Sequence, residues 1–286
     1  MKNKVIVVGA NGQLGSCIQE LVEEHLNFEF YFFSSKELDI TLKKKVLEVF
    51  DQNDFDYCIN CAAYTAVDKA EKEQKKAYDV NVRGAENMAI ACKFNNVKLI
   101  HISTDYVFDG RAKTPYTEEC PTNPICVYGQ TKLEGEKKVT EIMDYYMIIR
   151  TSWLYSEYNE NFMNKMLTLS TTRNVIKVVC DQIGSPTSAL DLARAIITIL
   201  DKGLTKYGVY NYCNNGIVSW FEFAKAIFEY KGIKTKVSPI KSTEFNSLVK
   251  RPDYSVLECS KLKKDYNISI PDWKLSLNEI IELNDI

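Results

Sequence analysis

Residues 5–15 read Val-Ile-Val-Val-Gly-Ala-Asn-Gly-Gln-Leu-Gly, and this stretch decides the fold. Val5–Val8 is an unbroken apolar run, as expected of a strand buried on both faces. Gly9, Gly12 and Gly15 follow, and from Gln13 to Glu24 the apolar residues recur at helical spacing. Strand, glycine turn and helix in that order let a backbone approach a pyrophosphate. The helix N-terminus then supplies N–H donors and a positive dipole. The spacing is GxxGxxG rather than GxGxxG, so the context carries the reading as much as the glycines do. Gly9, Asn11, Gly12, Gln13, Leu14 and Gly15 are the candidate cofactor loop.

The same rhythm continues outward. Apolar strands are predicted at 28–33, 57–62, 97–103 and 146–151, with helices at 42–50, 66–94 (one long or two short) and 128–142. Alternation of this kind predicts an α/β fold, a doubly wound parallel sheet of the Rossmann type. After residue 151 the pattern changes to aromatic and Asn-rich segments. A strand at 175–179, a loop with Gly184 and Pro186, and a helix at 220–230 follow. We therefore expect a cofactor-binding domain over 1–151 and a smaller, partly interleaved C-terminal α/β substrate lobe over 152–286. The helix around 189–202 is expected to return to the first domain.

Composition narrows the function. At 286 residues, 45% hydrophobic, the chain can build a large core without staples. Its 36 basic and 38 acidic residues leave a net charge of −2, with no basic excess to neutralise a nucleic acid. No apolar run approaches the ~18 residues of a membrane span, and the run before Gly9 is too short for a secretion signal, so a cytoplasmic location is expected. Nine cysteines are irregularly spaced. Cys58 and Cys61 have CxxC spacing but lie in a buried strand and its loop rather than at a helix start, where a thiol would be activated. The expectation is structural thiols. His25 and His101 are the only histidines, neither near paired cysteines, so no zinc site is expected.

Two further elements carry chemistry. Tyr128-Gly-Gln-Thr-Lys132 places a phenol and an ammonium four residues apart, on one helix face. A phenol with an ordinary pKa near 10 needs a nearby positive charge to exchange protons usefully. Ser103-Thr104-Asp105-Tyr106 closes the fourth strand at the carboxyl edge of the sheet, where open α/β proteins bind ligands. Thr104 can hold a carbonyl oxygen for Tyr128 to protonate. Glycine loop, strand-end threonine and YxxxK together describe an extended short-chain dehydrogenase/reductase. At the end of the second strand, Phe33-Ser34-Ser35-Lys36 has no acid until Glu37. Ser35 and Lys36 suit a 2′-phosphate, so NADPH is favoured, with NADH the alternative. Asp39 and Ile40 are expected to border the adenine.

The chain resembles the dTDP-4-dehydrorhamnose reductase family. The likeness rests on GANGQLG (9–15), LDIT (38–41), CAAYTAVDKAE (61–71), STDYVFDG (103–110), YGQTKLEGE (128–136), RTSWLY (150–155), DQIGSPT (181–187), WFEFA (220–224) and RPDYS (251–255). The resemblance implies NADPH-dependent reduction of a nucleotide-linked 4-keto sugar, as a step in cell-surface polysaccharide synthesis. Thr104, Tyr128 and Lys132 match its catalytic set. Ala62, Ala63, Tyr64 and Thr65 match its cofactor loop after the third strand. Asp105 and Trp153 match its sugar-nucleotide contacts, and Val67 and Tyr106 are expected beside them. Arg251 is a weaker candidate for a diphosphate, and Gln182 either joins the site or caps a turn. Some members hold magnesium through glutamates at a subunit contact. No such glutamates are placed in this chain, so magnesium is assigned no residues and a homodimer stays open.

Three other readings compete. A 4,6-dehydratase would show Thr-Asp-Glu where this chain has Thr104-Asp105-Tyr106. An epimerase-reductase would want Cys and His as acid and base. A non-catalytic subunit, resembling the regulatory subunit of methionine adenosyltransferase, has no chemical need for Thr104, Tyr128 and Lys132 together.

Overall fold

A computed structural model describes residues 2–22, 27–245 and 247–283. Five strands follow the sequence closely: β1 (Asn3–Val8), β2 (Phe28–Phe33), β3 (Tyr57–Asn60), β4 (Lys98–Thr104) and β5 (Tyr146–Thr151). They pair in parallel in the order β5-β4-β3-β1-β2. The sheet is a Rossmann sheet, as expected. Residues 208–212, expected among the short elements of the second lobe, instead form its sixth strand. Gly208–Tyr212 runs parallel to β5 at the outer edge.

Both faces of the sheet are covered. Val5 and Val7 point into one core with Ile18, Ile100, Ile149 and Ile196, while Ile6 and Val8 point into another with Phe50, Met88 and Leu99. Alternate residues of β1 thus serve opposite layers, which is why the run shows no polar alternation. The helix Gln13–Leu21 packs against the helix Ala189–Asp201 on the first face. The expected end of that first helix, Glu23–Glu24, and His25 lie outside the described residues. The 66–94 region breaks into short helices, Val67–Ala70 and Gln74–Tyr78, then a π-helical turn, Asp79–Gly84, leading into Ala85–Phe94. A third core holds the C-terminal lobe together: Tyr155, Met163, Phe223, Trp273 and Leu277 are all buried there. Truncating Phe223 to alanine would cost that core ~3–5 kcal/mol.

The cysteines fit the structural reading. All nine are free, and burial pushes the Cys58 and Cys61 thiols up, away from reactive thiolate. His101 is buried with Nδ1 3.1 Å from Asn60 Nδ2, and burial holds its pKa low, so the ring is neutral. Among the described residues no helix is long and apolar enough to cross a membrane.

Candidate active site

The carboxyl ends of β1, β3, β4 and β5 open into a cleft of about 980 Å³ shared with the C-terminal lobe. That is the upper end of the range for one small ligand. At its floor lies the glycine loop. Gly9 adopts φ +76°, and a Cβ there would fall 2.6 Å from the Ala62 nitrogen. A Cβ on Gly15 would fall 2.6 Å from the carbonyl oxygens of both Gly9 and Ala10, so this glycine lets the helix lie against the strand. Gly12 is the N-cap of the helix Gln13–Leu21 and offers no side-chain cap. The N–H groups of its first turn are therefore left for a ligand on the cleft side, where Gly12–Gly15 form the wall. The loop is braced from the other lobe: Asn159 Nδ2 donates to Asn11 O at 2.9 Å, and Ser156 Oγ donates to Gln13 Oε1 at 3.0 Å.

The loop after β3 is held by a residue with no mark in the sequence. Asn81, in the π-helical turn, accepts from Tyr64 N at 2.8 Å. It donates to Tyr64 O at 3.1 Å and to Thr131 Oγ1 at 3.0 Å. Thr131 lies between Tyr128 and Lys132, so Asn81 ties the Ala63–Thr65 segment to the helix carrying the candidate acid.

That helix, Val127–Ile142, brings Tyr128 and Lys132 to the end of β4, beside Thr104. Tyr128 is 9% exposed and its ring meets Tyr106 edge-on at 5.4 Å. Burial pushes the phenol pKa up, with Thr104 pulling the other way. Lys132, 2% exposed, donates from Nζ to Ile102 O at 2.6 Å. Burial lowers its pKa to about 8, against the opposing charge of Glu136. Thr104 donates to Asp105 Oδ1 at 3.0 Å and accepts from Tyr106 N at 3.2 Å. Asp105 is buried too, and desolvation lifts its carboxyl to about 7, with Ser255 and Thr104 opposing.

Below these groups lies a buried ion pair, formed by the last residue of YGQTKLEGE and the first of RTSWLY, to which the sequence alone assigns no role. Arg150 on β5 clamps Glu136, which also accepts from Ser103 Oγ. Ser103 sits between Ile102, which holds Lys132, and Thr104.

On the far wall Trp153 takes φ +49° and stacks on Trp220, centroids 3.4 Å apart and planes 6° off parallel. Gly184 makes room for it: a Cβ there would sit 2.4 Å from the indole. Trp220, like Phe162, lines the cleft and lies outside the candidate set; its contact with Trp153 is a through-space pairing of residues 67 apart. Gln182 lines it as well.

The cleft thus gathers Asn11, the Gly12–Gly15 segment, Ala63, Thr65 and Val67 from the cofactor side. It adds Thr104, Asp105, Tyr106, Tyr128, Lys132, Trp153 and Arg251. Arg251 is already paired, Nη2 to Asp68 Oδ2 at 3.0 Å. Gly9 and Ala62 lie beneath the loops, and Tyr64 turns its hydroxyl to Glu73 at 3.1 Å. Ser35 and Lys36 are exposed past the end of β2. Asp39 turns its carboxylate to Thr41, and Ile40 is buried against Gly84. Glu37 folds back to accept from Ser34 N at 2.8 Å and Oγ at 2.7 Å, which lowers its pKa. Its carboxylate is spent on the backbone, leaving Ser35 and Lys36 as the outward groups. Among the described residues no group of three or more His, Cys, Asp or Glu is gathered to hold a metal.

Comparison with known proteins points to one family. The model of the RmlD substrate binding domain matches residues 3–285. A dTDP-4-dehydrorhamnose reductase of Aggregatibacter actinomycetemcomitans is 38% identical, covering 97% of this chain and 98% of its own. A dTDP-4-keto-6-deoxy-D-glucose reductase of Streptomyces niveus is 34% identical, covering 99% of this chain and 98% of its own. The crystal structure of the Bacillus anthracis dTDP-4-dehydrorhamnose reductase in complex with NADP is 42% identical. It superposes with a TM-score of 0.95 over 99% of this chain and 100% of that one.

Proposed function

The chain belongs to the dTDP-4-dehydrorhamnose reductase family, and from that premise we propose that it reduces the C4 keto group of dTDP-4-dehydro-6-deoxy-L-mannose to give dTDP-L-rhamnose, using NADPH. One observation carries the reading. Thr104, Tyr128 and Lys132 are buried together at one end of a cleft whose floor is an uncapped, glycine-lined helix N-terminus.

The residues present fit a dinucleotide. The open first turn of the helix Gln13–Leu21 offers N–H donors to a pyrophosphate, and the Cβ-free Gly9 and Gly15 keep the loop low. Ser35 and Lys36 are free to meet a 2′-phosphate. NADPH, when bound, supplies the hydride.

The rest is the work of this chain. Thr104 Oγ1 turns its proton from Asp105 Oδ1 to the ketone oxygen and holds it. Tyr128, kept protonated by its burial, delivers the proton to that oxygen as the carbon is reduced. Lys132 keeps a positive charge one helical turn away and eases the charge that develops on the phenol oxygen. Asp105 and Trp153 grip the sugar, and residues 152–286 supply most of the sugar-nucleotide side of the cleft. Loss of 340 nm absorbance with NADPH and the keto sugar supports the proposal. NADPH binding without loss of absorbance, with either this sugar or its 4-keto-6-deoxy-D-glucose relative, rejects it for a binding protein.

A further inference from the structure

The cleft carries more positive charge than the reaction described above uses. Five cations line it: Lys132, Lys165, Arg173, Lys177 and Arg251. Lys132 is buried on Ile102 O, and Arg251 is neutralised by Asp68. The other three fall within one stretch of chain, residues 165–177, and are exposed, with no ion pair or side-chain hydrogen bond among the described residues. The helix Phe162–Ser170 sets Phe162, Lys165, Met166 and Leu169 at i, i+3, i+4 and i+7, so a single face looks into the cleft. Arg173 follows the helix, and Lys177 stands on the strand Val175–Val179 between buried Ile176 and Val178. The acids on the cleft wall do not cancel them. Asp68 is taken by Arg251, Asp105 lies at the reacting end hydrogen-bonded to Thr104, and Glu160 alone remains.

The cleft is therefore divided: at the reacting end Lys132 is held on Ile102 O beside the hydroxyls, and away from it stand three unneutralised cations. We infer that Lys165, Arg173 and Lys177 form the subsite for the diphosphate of the nucleotide-linked substrate, with Arg173 as its fork and the two lysines as point charges. The inference rests on the proposed sugar-nucleotide reduction and adds to it the groups that select a diphosphate-linked sugar over a free one. A net charge of −2 gives this protein no general attraction for anions, so affinity for one must be built locally.

The experiment titrates dTDP itself into the full-length protein by calorimetry, with NADPH titrated in parallel. Arg173→Gln should weaken dTDP about tenfold, and the triple variant Lys165→Met, Arg173→Gln, Lys177→Met about a hundredfold or more, on the usual scale of charged hydrogen bonds. The exposed positions should leave NADPH affinity and kcat at saturating sugar nucleotide within about twofold, while KM rises with the dTDP constant and loses most of its salt dependence. A triple variant that binds dTDP as the wild type does, or that loses NADPH instead, overturns the inference. The two readings fail separately. Wild-type turnover with an unchanged triple-variant KM removes this subsite and keeps the reduction. Cation-dependent dTDP binding without NADPH oxidation keeps the subsite and removes the reduction.

Discussion

Arg150 donates to both carboxylate oxygens of Glu136, Nε to Oε1 at 3.0 Å and Nη2 to Oε2 at 2.7 Å, one helical turn beyond Lys132. Ser103 Oγ shares Oε1 at 2.5 Å, so helix, β4 and β5 meet at a single carboxylate. Removing one partner of a buried pair leaves an uncompensated charge, at a cost of ~3–5 kcal/mol. Arg150→Met should lower the unfolding free energy by about that amount in urea titrations. A loss under ~1 kcal/mol would show that the pair does not hold the strand ends.

Tyr128→Phe keeps the ring against Tyr106 and removes the proton. Turnover should fall by about 10² or more while NADPH affinity stays within twofold, as for other general acids. Near-normal turnover would take Tyr128 out of the role.

Lys132 titrates at about 8 in the fold against an ordinary 10.5. Its charge is lost as pH rises through about 8, so kcat/KM should decline above that pH. The sign for stability is opposite. The unfolded chain holds the proton up to 10.5, so this group disfavours folding most below about 8, and the penalty is relieved between 8 and 10.5. A profile flat to pH 10 would contradict the assignment.

Asp105 runs the other way. Its carboxyl is lifted from 3.8 to about 7, so the unfolded chain gives up the proton first. The wild type should lose stability relative to Asp105→Asn as pH rises from about 4 to about 7, and the difference should then level off. An invariant difference across that window would mean that Asp105 is ionised throughout.

Gly184→Ala places a methyl where the Trp153 indole now lies. Steady-state kinetics should show KM for the sugar nucleotide raised severalfold with the NADPH constant unchanged. An unchanged sugar KM would mean that Trp153 makes no substrate contact.

Much of this was legible in the chain because it is local. β1, the glycines and the following helix are adjacent in sequence, and Tyr128 and Lys132 are one turn apart. What escaped is through-space. Gly208–Tyr212 is a short aromatic strand whose place beside β5 depends on the crossover helix before it. Asn81, Glu136 and Trp220 act through partners 14 to 67 residues away, and polar or aromatic residues in helical segments carry no local mark of such pairings. Glu37, the first acid after β2, was legible in sequence, but that its carboxylate turns onto Ser34 was not.

The most direct test of the central claim follows an isotope. The protein is given NADPH deuterated at nicotinamide C4, on the transferred face, and dTDP-4-dehydro-6-deoxy-L-mannose, and the product is read by NMR. The account predicts one deuterium at C4 of the sugar, in dTDP-L-rhamnose. A product with no deuterium at C4, or sugar recovered unchanged beside intact NADPH, would contradict it.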